Sequence, residues 1–334
     1  MKAMVLAAGL GTRLRPLTDN RPKALVEVAG RSLLEIALSR LRTFGIREVI
    51  INVHHFTDMI LDYLKANNNF GLRIEVSREE VLLDTGGGLK KAAWFFLEDP
   101  NRVDEPFILH NVDVISTIDL RRTVQFHKDN RALATLAVQA RETSRYLLFN
   151  DHHQLCGRRS SGTPVPSGAE GATPGCAPQV APTQNPSATA SLSAQQVSSH
   201  VIPNEVRDLL IPQEGASLQP AKEASGTAIP GCAPQVPATQ NQSVNKHENA
   251  EASRDSSQSL HALAFSGIHV ISPRLLPLIT EEGIFSIIGS YLRLASQGEK
   301  ILAFRADEYY WRDLGRPADL SQAALDLQQK VLLS

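Results

Sequence analysis

The sequence predicts an α/β protein with a mixed, mostly parallel sheet, helices on both faces of that sheet, and one long disordered insertion. Strand-like runs alternate with helical patterns along most of the 334 residues, which is typical of a sheet whose crossovers are helices. One central stretch has a different composition and interrupts this alternation. Glycine-rich or acidic segments follow several predicted strands, at the positions where open α/β sheets bind their ligands.

Eight segments are strand-like. They span residues 2–7, 48–53, 73–76, 106–110, 133–139, 146–150, 262–271 and 301–304. Six further segments carry helical patterns, at residues 32–44, 57–66, 87–97, 120–128, 285–296 and 317–332. In the first helix, Leu34, Leu38 and Leu41 share one face at a spacing near 3.6 residues. Asp119 is placed to cap the fourth helix, and Pro317 is placed to open the last one.

We predict a single domain made of residues 1–156 and 259–334, interrupted by a disordered, low-complexity insertion at 157–258. Residues 151–264 contain no Phe, Tyr or Trp, and twelve of the nineteen prolines lie between Pro164 and Pro237. Such a segment cannot bury enough apolar surface to offset the entropy of ordering it. The heptapeptide PGCAPQV occurs at 174–180 and again at 230–236, which marks an internal repeat. A docking linker is the functional alternative for this insertion.

Composition excludes several classes of protein. The formal net charge of −1 gives no long-range field for DNA or RNA, so we expect no nucleic-acid partner. No apolar run reaches about 18 residues, so we expect no membrane-spanning helix, and the N-terminus does not have the form of a signal peptide. Cys156, Cys176 and Cys232 fit neither a disulfide framework nor a zinc site. We therefore expect a soluble, cytoplasmic protein that is a monomer or a small homo-oligomer.

The stretch LAAGLGTRLRPLT at residues 6–18 has the composition of a loop that brings backbone amides to a phosphate. It is not a dinucleotide fingerprint, because Leu14 stands where G-x-G-x-x-G requires its third small residue. The same leucine excludes a Walker A loop, whose second glycine would fall there. What remains is a glycine turn, then Arg13 and, ten residues later, Lys23. Because arginine clamps a phosphate through two donors and lysine adds a compact charge, this pattern favours a phosphate-binding loop over a solvated basic loop.

The stretch FILHNVDVI at residues 107–115 predicts a buried strand whose end delivers Asn111 and Asp113. A carboxylate at such a strand end is well placed to hold Mg²⁺ against phosphate oxygens. The structural alternative is an aspartate that ends the strand in a turn. Far along the chain, the segment YYWRDLGRPADL at 309–320 contains Asp313, for which a capping role at the last helix is the alternative.

The sequence closely resembles the sugar-1-phosphate nucleotidyltransferases. The segment 6–25 fits the family pattern L-A-A-G-x-G-T-R-x-x-P-x-T-x-x-x-P-K-x-L at every specified position. The segments DTGGGL at 84–89, FSGIHV at 265–270 and W-R-D-L-G at 311–315 are similar to further family segments. The resemblance covers residues 1–156 and 260–329. It implies the Rossmann-like fold of the nucleotide-diphospho-sugar transferases.

The resemblance also implies roles for individual residues. Arg13 and Lys23 correspond to residues that bind phosphate during catalysis, and Asp113 and Asp313 correspond to ligands of Mg²⁺. The nucleotide contacts that it implies are Leu6, Ala8, Gly9, Gly11, Thr12, Arg13, Lys23, Thr85, Gly86 and Gly87. For the sugar substrate it implies contacts with Asn111 and Gly267.

Two departures from the family pattern bear on this site. Val112 stands between Asn111 and Asp113, where the family usually has Gly or Ala. Many members also carry an acid-Lys-Pro segment near the sugar phosphate, and no such triplet precedes the strand at 262–271 here. Arg158 and Arg159 are candidates for the missing charge, although neither is assigned to it.

The implied reaction joins an NTP to a sugar 1-phosphate and releases pyrophosphate. The triple glycine and the FSGIHV segment are most similar to N-acetylmuramate-1-phosphate uridylyltransferases of cell-wall recycling, which favours UTP and N-acetylmuramate 1-phosphate. Mannose-1-phosphate guanylyltransferases and other hexose or heptose enzymes are the alternative. A nucleotide-sugar sensor without turnover is the non-enzymatic alternative.

Overall fold

Thirteen strands and seven helices follow one another in the computed structural model, which describes residues 1–102, 104–160 and 259–328. The strands are β1 (Lys2–Leu6), β2 (Glu27–Val28), β3 (Arg31–Ser32), β4 (Glu48–Val53), β5 (Arg73–Arg78), β6 (Phe107–Asn111), β7 (Val114–Ser116), β8 (Ala134–Gln139), β9 (Arg145–Phe149), β10 (Leu155–Ser160), β11 (His261–Ile271), β12 (Ile301–Arg305) and β13 (Trp311–Asp313). The helices are α1 (Leu33–Thr43), α2 (Thr57–Ala66), α3 (Asp84–Lys91), α4 (Ala93–Leu97), α5 (Leu120–Asp129), α6 (Ile287–Ser296) and α7 (Pro317–Gln328).

Nine of these strands form one mixed sheet. Its main path runs β10-β9-β11-β6-β1-β4-β5, and β8 joins β11 and carries β12. The neighbours β6, β1, β4 and β5 are all parallel, whereas β11 is antiparallel to β6, β8 and β9. The parallel strands β1 and β4 are almost entirely buried, as expected when helices cover both faces of a sheet.

Alternate residues of the central strands enter two separate hydrophobic layers. In β1, Ala3 and Val5 pack with α1, α2, α5 and α7, whereas Met4 packs on the opposite face with α3, α4 and α6. In β4, Ile51 and Ile50 divide in the same way. This period of two is what a strand buried on both faces requires. The predicted α/β architecture with helices on both faces is confirmed.

The helix predicted at 87–97 forms two helices. The first, α3, begins at Asp84, and the backbone at Ala92 separates it from α4 with φ −86° and ψ 0°. The predicted cap of α5 is present, because the Asp119 carboxylate accepts the backbone N–H groups of Arg121 and Arg122 at 2.8 and 3.1 Å. The three-residue strands β7 and β13 were not predicted, since so short a run carries no period.

The predicted insertion at 157–258 lies outside the described residues except for residues 157–160. Residues 157–160 continue β10 to Ser160, where they pair with β9, so the strand extends four residues beyond the predicted boundary. Within the described residues, no helix has both the length and the apolarity that crossing a membrane demands.

Three histidines are buried in this fold with a neutral ring. Burial lowers the pKa of His110 and of His127 to about 4, with further lowering by Arg40 and Arg274 respectively. Burial, with a smaller contribution from His110, lowers the pKa of His269 to about 3. The His269 ring is bonded through Nδ1 to the Tyr291 hydroxyl at 3.0 Å. These rings take up protons readily only when the chain unfolds.

We expect the free energy of unfolding to decrease as the pH falls from about 6.5 to about 4, because the unfolded chain binds protons that the folded chain does not. Each histidine contributes up to about 1.4 kcal/mol per pH unit in this range. Urea unfolding at several pH values measures the slope. The variant His269→Gln should have a shallower slope, and a variant at the exposed His152, His152→Gln, should keep the original one. An unchanged slope in His269→Gln would contradict this prediction.

Candidate active site

A cavity of about 380 Å³ lies at the carboxyl ends of the four parallel strands. Leu6, Asn52 and Asn111 come from the ends of β1, β4 and β6, and Glu79 directly follows β5. This is the place where open α/β sheets bind ligands. The residues that line it are Leu6, Ala8, Gly9, Lys23, Asn52, Glu79, Leu82, Asp84, Thr85, Asn111, Val112, Asp113 and Ile284.

The glycine loop after β1 folds back upon itself. Gly11 has φ +65°, and a Cβ there would lie 2.9 Å from Thr18 Cγ2 and 3.0 Å from Lys23 Cβ. The Thr18 hydroxyl donates to the Gly11 carbonyl at 2.9 Å and closes the turn. Glycine is therefore required at this position by both its backbone angle and the close approach. The consequence is that Lys23 lies beside the start of the loop.

Lys23 forms an ion pair with Asp113 across the cavity. The lysine is buried, with 8% of its surface exposed. Its ammonium group thus joins the loop after β1 to the end of β6. Thr12 and Arg13 lie in the exposed turn Thr12–Leu14 of the same loop.

The second predicted carboxylate, Asp313, is brought to Asp113 by strand pairing. β13 runs antiparallel to β7 with Asp313 opposite Val114, and the Leu314 N–H donates to the Asp113 carbonyl at 2.8 Å. Burial raises the pKa of Asp313, and the nearby charge of Asp113 raises it further. The carboxylate accepts the Gly315 N–H at 2.7 Å.

The Arg13 side chain lies close to Asp313, beside Gly315. A Cβ at Gly315 would be 2.6 Å from Asp313 Oδ1 and 2.7 Å from Arg13 Nη2, so both side chains use the space that glycine leaves. The charges of Lys23 and Arg13 both act to lower the pKa of Asp313, against the stronger effects of burial and of Asp113. Two cationic and two anionic side chains therefore meet at one edge of the cavity.

This donor set fits a divalent cation that is shared with a phosphate ligand. Mg²⁺ is usually bound in proteins by one or two carboxylates together with phosphate oxygens and water. Asp113 and Asp313 supply two carboxylates, and the described residues contain no cluster of three or more His, Cys, Asp or Glu side chains that could enclose a metal alone. Phosphate oxygens of the substrate and water would supply the remaining ligands.

A buried polar network that sequence reasoning missed supports the side of the cavity next to the glycine loop. The Ala7 N–H donates to Asn52 Oδ1 at 2.8 Å, and Asn52 Nδ2 donates to Glu79 Oε1 at 2.7 Å. The other Glu79 oxygen accepts the Leu83 N–H at 3.0 Å. Asn52 and Glu79 are 3% and 4% exposed, so the network ties the loop after β1 to the segment before α3. An asparagine within the apolar run of β4 was the available signal.

The triple glycine of α3 is a packing element in this structure. The N–H groups of Gly86 and Gly87 both donate to the Phe285 carbonyl, at 2.9 and 3.3 Å. A Cβ at Gly86 would overlap the Phe285 ring, and one at Gly87 would lie 2.5 Å from the Gly283 carbonyl oxygen. Thr85 lines the cavity, but Gly86 and Gly87 do not, and their amides already have an acceptor.

Gly267 and Asn111 lie together beside the carboxylates. Gly267 has φ +73° at an irregular point of β11, and a Cβ there would be 2.9 Å from Asn111 Nδ2 and from Val114 Cγ2. Only glycine allows this approach. Val112, where the family usually has a smaller residue, is buried in the cavity wall at 5% exposure, and Asn111 and Asp113 line the same cavity.

Comparison with known proteins agrees with this geometry. Residues 2–148 match the model of the nucleotidyl transferase family. The matched segment makes up 147 of the 334 residues. An N-acetylmuramate alpha-1-phosphate uridylyltransferase of Caulobacter vibrioides is 52% identical over 101 residues, which are 29% of this chain and 42% of that protein. A mannose-1-phosphate guanyltransferase of Yarrowia lipolytica is 34% identical over 148 residues, which are 44% of this chain and 40% of that protein.

Comparison with solved structures extends the similarity beyond residues 2–148. A putative glucose-1-phosphate thymidylyltransferase from Bacillus anthracis superposes with a TM-score of 0.60 over 97% of this chain and 94% of that one, at 12% identity. An identity this low bears on the fold alone, which the two proteins share. The chain spans about two fifths of the length of the two curated relatives that it matches.

Two helical glycines provide a test of the packing role of α3. In Gly87→Ala the new Cβ meets the Gly283 carbonyl oxygen, so we expect a lower free energy of unfolding than in the wild type. Gly289 in α6 has no atom within 4 Å of such a Cβ. Gly289→Ala should therefore show the usual helix gain of about 0.5–1 kcal/mol. Urea unfolding of both variants is the measurement, and an equal gain in both would contradict the proposed packing.

Proposed function

We propose that the protein is a sugar-1-phosphate nucleotidyltransferase, which makes an NDP-sugar and pyrophosphate from an NTP and a sugar 1-phosphate. The observation that carries this proposal is the group formed by Lys23, Asp113 and Asp313 at the carboxyl ends of the parallel strands. The glycine loop and Arg13 border the same group. Phosphoryl and nucleotidyl transfer need this combination, since they depend on positioning and on neutralising charge.

In the proposed reaction, an oxygen of the sugar phosphate attacks the α-phosphorus of the NTP. The bond from that phosphorus to the bridging oxygen breaks, and the electron pair leaves with pyrophosphate. No general base is required, because a sugar phosphate is largely ionised at neutral pH. Lys23 and Arg13 donate to phosphate oxygens and counter the charge that develops on the departing pyrophosphate. The three donors of the Lys23 ammonium allow it to bond a phosphate oxygen while it stays close to Asp113.

Asp113 and Asp313 would hold the divalent cation, for which we propose Mg²⁺. Bound there, it would neutralise phosphate charge and so favour attack on the α-phosphorus. The protein's own contribution is to hold the two carboxylates together by the β7–β13 pairing. Leu6, Ala8 and Gly9 line the cavity beside them and form the proposed base and ribose contacts.

Among substrate pairs, we propose UTP with N-acetylmuramate 1-phosphate. Support comes from the 52% identity to the Caulobacter uridylyltransferase. The mannose-1-phosphate guanyltransferase is 34% identical over a longer segment, which makes GTP with mannose 1-phosphate the second candidate. We further propose that the product serves as a cell-wall or polysaccharide precursor and that the enzyme works in the cytoplasm, as a monomer or small homo-oligomer.

A panel of NTPs and sugar 1-phosphates tests the activity. Purified full-length protein with Mg²⁺ should release pyrophosphate most rapidly from the UTP and N-acetylmuramate 1-phosphate pair. Faster release from GTP and mannose 1-phosphate would move the proposal to the second candidate. If UTP binds by calorimetry and no pair releases pyrophosphate, the protein is a nucleotide-binding sensor.

The variant Asp113→Asn tests whether the Asp113 carboxylate is needed for turnover or only for binding the NTP. The amide keeps the size of the side chain but removes its charge, so we expect turnover to fall about 100-fold or more. The Kd for UTP measured without metal should change by less than about tenfold, since Lys23 and the glycine loop remain. Asp58→Asn, at a carboxylate that is 90% exposed on α2, is the matched control and should match the wild type. Full turnover in Asp113→Asn would disprove the metal assignment.

A further inference from the structure

Arg141, which follows β8, stacks on the indole ring of Trp311. Its guanidinium carbon lies 3.6 Å from the ring centroid. Nη2 of Arg141 donates to the Phe265 carbonyl at 2.7 Å, and the Trp311 indole N–H donates to the Ser266 carbonyl at 2.7 Å. The two side chains are thus fixed to consecutive carbonyls of β11, immediately before Gly267.

The backbone that carries Arg141 is also fixed. The Ala140 N–H donates to the Asp307 carboxylate at 2.6 Å, and the Gln139 amide donates to the carbonyls of Ala306 and Tyr309 at 2.8 and 2.9 Å. An arginine whose backbone is hydrogen-bonded and whose guanidinium is stacked on an indole ring loses little further entropy when it binds an anion. An arginine that is preorganised in this way binds an anion more favourably than a mobile surface arginine does.

This arginine lies near Asp313, one of the two carboxylates. Trp311 and Asp313 are two residues apart in β13, so their side chains project from the same face of the strand. The charge of Asp313 acts on the Arg141 guanidinium, whose pKa burial lowers. Gly267 and Asn111 border the same region. The glycine loop with Lys23 lines the cavity in which the NTP phosphates are proposed to bind.

One donor of Arg141 lacks an acceptor. Its Nε is buried and has no hydrogen-bond partner, and among the described residues no carboxylate forms a salt bridge with the guanidinium. A buried donor without an acceptor costs about 1–3 kcal/mol, and more when it belongs to a charged group. The guanidinium as a whole is only partly buried, so an oxyanion of a bound molecule would balance its charge.

We propose that Arg141, held by Trp311, binds an oxyanion of the sugar substrate and orients that substrate toward the α-phosphorus. The proposal rests on the proposed function and deepens it, because it assigns a cation to the sugar side of the site. The sequence has no acid-Lys-Pro segment there, so a cation must come from elsewhere in the chain. The oxyanion is either the 1-phosphate, present in every candidate substrate, or the carboxylate that N-acetylmuramate carries in addition.

The kinetic test compares Arg141→Gln with Arg145→Gln, an exposed arginine at the start of β9. We expect Arg141→Gln to raise the KM for the sugar phosphate roughly 10- to 100-fold, the loss typical of one charge-assisted contact. The KM for the NTP should stay within about threefold in both variants. A purely structural role would lower stability and leave the ratio of the two KM values unchanged, which would overturn the proposal.

Two sugar phosphates distinguish the sources of the oxyanion. N-acetylglucosamine 1-phosphate carries only the phosphate, whereas N-acetylmuramate 1-phosphate carries phosphate and carboxylate. An increase of KM for both in Arg141→Gln assigns the phosphate to Arg141. An increase for N-acetylmuramate 1-phosphate alone assigns the carboxylate. If neither KM rises while turnover persists, Arg141 is excluded and the proposed function stands.

A binding measurement separates the two proposals if turnover fails. The chain has two tryptophans, and Trp94→Phe leaves Trp311 as the sole indole. In that background, N-acetylmuramate 1-phosphate, titrated with UTP and Ca²⁺ present, should change the Trp311 fluorescence in a saturable way. The change should be absent after Arg141→Gln. A signal that needs Arg141 in a protein without turnover supports the site and refutes the activity, whereas no signal with Arg141 present refutes the site.

Discussion

Two partly buried carboxylates of like charge, held near each other, are the constraint on which the rest of this site depends. Asp113 and Asp313 come from segments 200 residues apart, and the backbone pairing of β7 with β13 holds them together. Burial and mutual repulsion disfavour this arrangement, as the raised pKa of Asp313 shows. Lys23 and Arg13 supply the opposing charge. The fold therefore concentrates charge at the point where phosphates are proposed to react.

The glycines and the buried polar network follow from this requirement. Lys23 reaches Asp113 only because the loop after β1 turns back at Gly11, where a side chain would collide with the lysine itself. Asn52 and Glu79 then fix the start of that loop against the segment before α3. Each contact acts on the backbone of an element that borders the cavity. Hydrogen bonds to buried side chains therefore tie together the cavity wall beside the glycine loop.

Sequence patterns predicted the helices and strands that are long or periodic. They failed where tertiary contacts determine the local structure or bring distant side chains together. Strand β4 was predicted with the bounds it has, because a strand buried on both faces is an almost continuous apolar run. The break between α3 and α4 at Ala92 was missed, because residues 89–97 contain no glycine or proline to mark it. The adjacency of Asp113 and Asp313 came only from resemblance to a family. Glu79 and Arg141 were missed because their partners lie far away in the sequence.

The two sides of the site differ in how they are encoded. On the nucleotide side, the glycine turn, Arg13 and Lys23 lie within fifteen residues, so a single motif indicates nucleotide chemistry. On the other side, Arg141, Trp311 and Gly267 come from three separate segments, and their contact exists only in the folded chain. A short motif cannot record such an arrangement. This difference explains why the sequence indicates nucleotidyl transfer far more strongly than it indicates the sugar.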